Sequence, residues 1–111
     1  MTGTEVIATY ERMLEYLREM HAAAGRSDWD AVAALEGECR GVTRRLMENE
    51  TGTPLTAGEA ARKATLIREA LVLDAAIREL VEPWLRQLDA FLSSRQLERR
   101  VQNAYGVPHA R

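Results

Sequence analysis

The sequence predicts an all-α protein, an antiparallel helical bundle of three long helices with a kinked or separate C-terminal helix. Three observations predict it. Ala, Leu, Glu and Arg dominate the composition and favour helix in nearly every window. Apolar residues recur at spacings of three and four along most of the chain. Helix start and stop signals fall between the periodic stretches. With 111 residues, the chain has the length of one domain, here 1–111, with 94–111 as a detachable C-terminal helix and tail. A chain of this length buries roughly two-thirds of its unfolded surface, so a sizeable core needs no covalent staples.

The first helix is expected over about 5–24. Ile7, Tyr10, Met13, Leu14, Leu17, Met20 and His21 mark its inward stripe, and Gly25 stops it. Ser27 then opens the second helix, near 28–48, with Asp28 and Asp30 in its first turn, where carboxylates favour the exposed amides. Trp29, Val32, Leu35, Glu36, Cys39, Val42 and Leu46 continue the periodicity, with Glu36 at the edge of the stripe. Asn49 to Pro54 form the longest loop.

The third helix, 56–82, starts with the strongest local signal of the chain. In Thr56-Ala57-Gly58-Glu59 the Thr hydroxyl and the Glu carboxylate satisfy each other's backbone amides. At about 100° per residue, Leu66, Ile67, Ala70, Leu71, Leu73, Ile77, Leu80, Val81, Trp84 and Leu88 occupy one half of the helical wheel. A helix on the side of one bundle needs a stripe little over 100° wide. A half-wheel face suits a helix wedged between two neighbours, or one with a strip left over for a partner. Asp74 interrupts this face. A buried carboxylate must be paired, and Arg78 at i+4 or a tyrosine hydroxyl from the first helix are the candidates. Such a residue serves as a polar pin for bundle register or as a specificity contact in a partner groove.

Pro83 removes one backbone hydrogen bond and clashes with the preceding turn. The apolar stripe nevertheless continues in phase through Trp84, Leu85, Leu88, Phe91 and Leu92. Pro83 therefore reads as a kink or as the first turn of a new helix, 84–105, and not as a domain boundary. Ser93-Ser94 is a hinge candidate. Beyond it only Leu97, Val101, Ala104 and Tyr105 share a face, before Gly106 and Pro108 terminate the helix. Both tryptophans lie on inward stripes and are expected to be mostly buried.

Composition excludes several function classes. The net charge is −2, so no global attraction to nucleic acid or to a membrane surface follows. Residues 1–50 carry ten acids against six bases, whereas from Arg95 onward four arginines face the single acid Glu98. That basic tail reads as a solvated helix end, because direct nucleic-acid binding needs several phosphate contacts. All 15 basic residues are arginine except Lys63. Cys39 stands alone, so no intramolecular disulfide forms. No secretory start and no apolar run of membrane-spanning length is present, so the chain reads as cytoplasmic, with no membrane insertion.

Enzyme constellations are missing, and no catalytic, cofactor-binding or metal-ligating residue is assigned. His21 and His109 are far apart and lack Glu-x-x-His spacing. No glycine-rich phosphate loop exists. Cys39, on an inward stripe, reads as an inert packed thiol. The remaining signal is surplus apolar surface: Leu85, Leu88, Phe91 and Leu92, then Leu97, Val101 and Tyr105, exceed what a three-helix core needs. A groove for a partner helix is one use, and an ordinary fourth bundle helix is the other.

A series of landmarks carries a family resemblance. Tyr10 with Met13-Leu14 comes first, then Asp28-Trp29-Asp30 after a short turn, then Pro54-Leu55-Thr56 opening a long helix. Leu73-Asp74-Ala75-Ala76-Ile77-Arg78 follows, then Glu82-Pro83 with Leu85 and Leu88, and lastly Ala104-Tyr105-Gly106. In that order and spacing the chain resembles the flagellar export chaperone FliT family over nearly its whole length. The resemblance implies a small cytoplasmic type III export chaperone that binds the C-terminal segment of the filament-cap protein FliD, keeps it unpolymerised and brings it to the export ATPase components. It also implies a C-terminal helix that moderates binding, and in some members contact with the flagellar master regulator. The partner-binding residues it points to are Asp74, Ile77 and Arg78, joined on the residue pattern by Leu85, Leu88 and Leu92, with Leu97, Val101 and Tyr105 as a lid. The rival reading is a self-associating regulatory or adaptor bundle, its apolar surplus buried in a homodimer.

Overall fold

The computed structural model describes residues 1–104, and Tyr105, Gly106, Pro108 and His109 lie outside the described residues. Three helices are present: α1 (Gly3–Gly25), α2 (Trp29–Asn49) and α3 (Ala57–Ala104). No strand occurs among the described residues, as the composition and periodicity predict. The chain divides into two compact units, Met1–Leu80 and Val81–Arg111.

In the first unit α1, α2 and the opening half of α3 share one apolar core. Alpha-helix α1 contributes Val6, Tyr10, Leu14, Leu17, Met20, Ala23 and Ala24; α2 contributes Val42 and Leu46; α3 contributes Leu66, Ala70 and Ile77. Val6 and Leu66 are fully enclosed. The α1 stripe runs Val6–Tyr10–Leu14–Leu17, one step earlier than the expected start at Ile7, which is half-buried. A second capping box, Thr2 with Glu5, starts α1 at Gly3: the Glu5 amide donates to the Thr2 hydroxyl at 3.2 Å and the Thr2 amide to the Glu5 carboxylate at 3.3 Å. His21, placed on the stripe by spacing, is exposed.

The α1–α2 turn differs from its expected form. Gly25 is the last residue of α1, and the left-handed position falls on Ser27, with φ 58°. The Ser27 amide donates to the Ala24 carbonyl at 3.0 Å and the Asp28 amide to the Ala23 carbonyl at 2.9 Å. This pair of bonds is the Schellman closure of a helix end. Asp28, not Ser27, caps α2, its carboxylate accepting from the Ala31 amide at 3.3 Å. Ser27 is thus consumed by ending one helix and cannot begin the next.

Helix α2 keeps the expected register but not the expected depth. Trp29, Val32, Leu35 and Cys39 are only half-buried, and Glu36 is exposed and bonded to Arg40 at 2.8 Å. Its other end is tied into the core by a cluster the periodicity does not reveal. The Tyr10 hydroxyl donates to the Glu50 carboxylate, 2.9 Å from each oxygen, and Lys63 forms an ion pair with the same carboxylate. The Lys63 ammonium also lies 5.8 Å from the centre of the Tyr10 ring. The polar pin that joins the three helices is therefore Tyr10–Glu50–Lys63. Asp74 pairs within its own helix with Arg78, at 2.8 Å, and is half-exposed.

Helix α3 opens with the expected capping box, the Glu59 amide donating to Thr56 Oγ1 at 3.1 Å and the Thr56 amide to Glu59 Oε1 at 2.9 Å. A side-chain carbon on Gly3 would come within 2.7 Å of that carboxylate, which would have to shift to admit it. Past Leu80 the helix does not break. It passes through Pro83 and Ser93-Ser94 to Ala104 as one element of 48 residues, so no separate helix begins at position 84. Pro83 costs one bond of the ladder without ending the helix.

Candidate partner-binding face

Among the described residues no three His, Cys, Asp or Glu side chains are grouped as a metal would need. Burial raises the Cys39 thiol above its ordinary range, and the charges of Glu36 and Asp74 add to the effect, so the thiolate needed for nucleophilic attack is scarce. Tyr10 is pushed up to about 12, first by burial and then by its hydrogen bond to, and the charge of, Glu50. A phenol held that firmly neutral is a structural donor and not an acid catalyst at neutral pH.

One cleft opens between α1 and the start of α3, with a volume of about 310 Å³, lined by Thr4, Ile7, Ala8, Glu11, Gly58, Glu59 and Arg62. Arg62 and Glu11 span it at 3.7 Å. Both are half-exposed, and an ion pair of that kind contributes little.

The larger feature belongs to the second unit. Leu85, Leu88, Phe91 and Leu92 are 49%, 40%, 57% and 50% exposed. They recur at intervals of three and four, so they form one face of α3. Leu97 and Val101 are also exposed. Leu97 follows Leu88 by nine residues, about two and a half turns at 3.6 residues per turn, so in the continuous helix it sits on the opposite side. Arg95 returns to the Leu88 face, its guanidinium 5.8 Å from the centre of the Phe91 ring. Monomeric proteins rarely leave such a contiguous apolar strip open unless something covers it.

The sequence-expected partner residues therefore divide. Leu85, Leu88 and Leu92 share an open face of Val81–Ala104. Ile77 is 7% exposed and belongs to the core of Met1–Leu80 in this conformation, while Asp74 and Arg78 form their own exposed pair beside it. Leu97 and Val101 do not lie on the Leu88 face, and Tyr105 falls outside the described residues. Trp84 is half-buried, as is Trp29, so neither tryptophan reaches the depth its stripe position suggested. The residues that sequence reasoning missed are Glu50 and Lys63. Lys63 is the one lysine among fifteen basic residues, and that singularity is the only sign of it in the sequence.

The family model described as "Flagellar protein FliT" matches residues 7–107. The chain belongs to the FliT family. A solved relative is the flagellar protein FliT from Bordetella bronchiseptica, with 34% sequence identity and a TM-score of 0.69, the match covering 78% of this chain and 97% of that one. No curated protein matches the chain. FliT membership agrees with the helical fold and makes the chain a flagellar protein. No helix among the described residues is long and apolar enough to cross a membrane.

Proposed function

We propose that this chain is a flagellar type III export chaperone that binds the C-terminal segment of the filament-cap protein FliD and holds it unpolymerised in the cytoplasm until export, with the export ATPase components and the flagellar master regulator as further partners. The observation that carries the reading is the open strip Leu85–Leu88–Phe91–Leu92 on a member of the FliT family. An amphipathic helix presents anchors at i, i+3, i+4 and i+7, the same spacing as this strip, so two such surfaces interlock by ridges and grooves. Covering the apolar anchors of an assembly segment removes them from competing self-assembly contacts.

The reading has a second part. Leu97 and Val101, with Tyr105 beyond the described residues, act as a cover that closes by bending at Ser93-Ser94, and the described conformation, with Leu85, Leu88 and Leu92 exposed, is the open one. Serine offers its helix backbone an alternative hydrogen-bonding partner, which suits a bending point. Reversal of the chain there turns the Leu97 side toward the strip, which a continuous helix cannot do.

Titration calorimetry with a FliD C-terminal peptide tests both parts. The full chain should bind, and Leu88→Glu should lose at least about 30-fold in affinity, the scale of a buried interface anchor. A chain lacking residues 94–111 should bind more tightly than the full chain. Unchanged binding by Leu88→Glu would remove the strip from the account. Equal affinities of the long and short chains would remove the cover.

A further inference from the structure

We propose that Arg95 and Arg99 make the open strip of α3 selective: it takes an amphipathic partner helix whose apolar anchors are followed by two carboxylates four residues apart, and turns away a helix whose matching face is apolar throughout. The inference rests on the strip being a partner site, and it names the chemistry of that partner.

The strip stops short on its own line. Arg95 stands seven residues beyond Leu88, and Arg99 eleven. At 3.6 residues per turn those intervals are about two and three turns, so both guanidinium groups lie on the face that Leu85, Leu88, Phe91 and Leu92 make apolar. The next apolar side chains, Leu97 and Val101, fall on the other side of the helix. Arg95 does not extend away from the strip. Its guanidinium lies 5.8 Å from the centre of the Phe91 ring, and a guanidinium placed over a ring keeps its planar donor edge available. Among the described residues no carboxylate forms an ion pair with Arg95 or Arg99, Glu98 between them included. The two arginines are i, i+4 neighbours, and like charges at that spacing repel, so an opposing pair of carboxylates relieves a strain the free helix carries.

A helix laid along the strip removes water from both guanidinium groups. A desolvated cation without a partner is strongly unfavourable, whereas one facing a carboxylate is compensated. The arginines therefore add little to the affinity of a matched helix and subtract much from that of a mismatched one. Specificity is a difference of affinities, set here by the penalty on the wrong partner.

Three synthetic amphipathic peptides test this on the full chain by titration calorimetry. All carry leucines at i, i+3, i+4 and i+7 and differ only in the two residues, four apart, that follow: both Glu, both Gln or both Lys. The Glu peptide should bind about tenfold more tightly than the Gln peptide, and the Lys peptide should bind weakest. Added salt should narrow the gap. Arg95→Gln should bring the Glu and Gln peptides to within about threefold of each other. Arg95→Glu should invert the order, with Lys above Glu. Helicity by circular dichroism should be unchanged in both variants, since Arg95 is exposed. Equal binding of the Glu and Gln peptides overturns the proposal, as does an order that Arg95→Glu leaves unchanged, or binding of none of the three. The peptides carry no FliD sequence, so the two readings fail separately. A chain that binds a FliD peptide but treats Glu and Gln peptides alike defeats the selectivity alone. A chain that discriminates among the designed peptides but ignores FliD defeats the chaperone reading alone.

Discussion

Ala57–Leu80 and Val81–Ala104 are two stretches of one helix with the same apolar spacing, and they use it oppositely. The first stretch puts part of its stripe into the core: Leu66 is fully buried and Ala70 and Ile77 are nearly so, while Leu71 and Leu80 of the expected face are 64% and 38% exposed. The second leaves Leu85, Leu88, Phe91 and Leu92 between 40% and 57% exposed. Helical periodicity states which residues share a face, but not what that face meets. The half-wheel width of the stripe was the hint that it meets more than one thing.

The comparison can be broken most sharply by truncating one leucine in each stretch. Leu66→Ala should lower stability by about 2–5 kcal/mol, as for buried leucines elsewhere. Leu88→Ala should change it by only about 0.5 kcal/mol, as for surface substitutions. Urea unfolding of both variants, compared at equal slope, checks the contrast. Similar losses would mean that Leu88 is packed in solution.

The core side also contains the pin that holds its three helices in register. Tyr10→Phe removes a hydrogen bond to a carboxylate, a kind worth about 1.5–3 kcal/mol, and should destabilise by that amount. The same group sets a pH window. Its folded pKa of about 12 lies above the ordinary value near 10, so the folded state holds the proton more tightly. That stabilisation is complete below about pH 10 and is lost as pH rises through about 12. The stability curve of the wild-type chain should fall over that interval more steeply than that of Tyr10→Phe. Equal slopes would show that Tyr10 does not titrate differently on unfolding.

The smallest expected effect lies at the α1–α2 turn. Ser27 sits at φ 58°, where a side chain is disfavoured and glycine is not. Ser27→Gly should raise the midpoint of thermal unfolding, corresponding to a gain of about 0.5–1 kcal/mol. A loss would mean that the hydroxyl makes a contact more valuable than the strain it carries.

How far these features are legible in the residues depends on how local their causes are. The Thr56–Glu59 capping box, the helix order and the strip of Leu85, Leu88 and Leu92 follow from neighbours within one or two turns, and each is read directly from spacing. The continuity of α3 through Pro83 is not, because a proline's missing bond is tolerated or not according to the packing around it. The depth of Trp29 and Trp84 is likewise a property of what lies opposite them, and both stripes were right in direction while overstating burial. The Tyr10–Glu50–Lys63 cluster joins residues 40 positions apart, beyond the reach of any periodicity. Asp74 drew attention because its face was apolar, yet Arg78 one turn later satisfies it at the surface.

The central claim is that one helix changes role at about residue 80, from core element to open binding face. Native-state hydrogen exchange read residue by residue along α3 of the full chain tests it most directly. Amides of α3 up to about residue 80 should exchange only through global unfolding. Those of 85–104 should exchange orders of magnitude faster, through local fraying of a helix with little tertiary support. Uniform protection along the whole of α3 would contradict the claim, because it would mean that the second stretch is packed as firmly as the first.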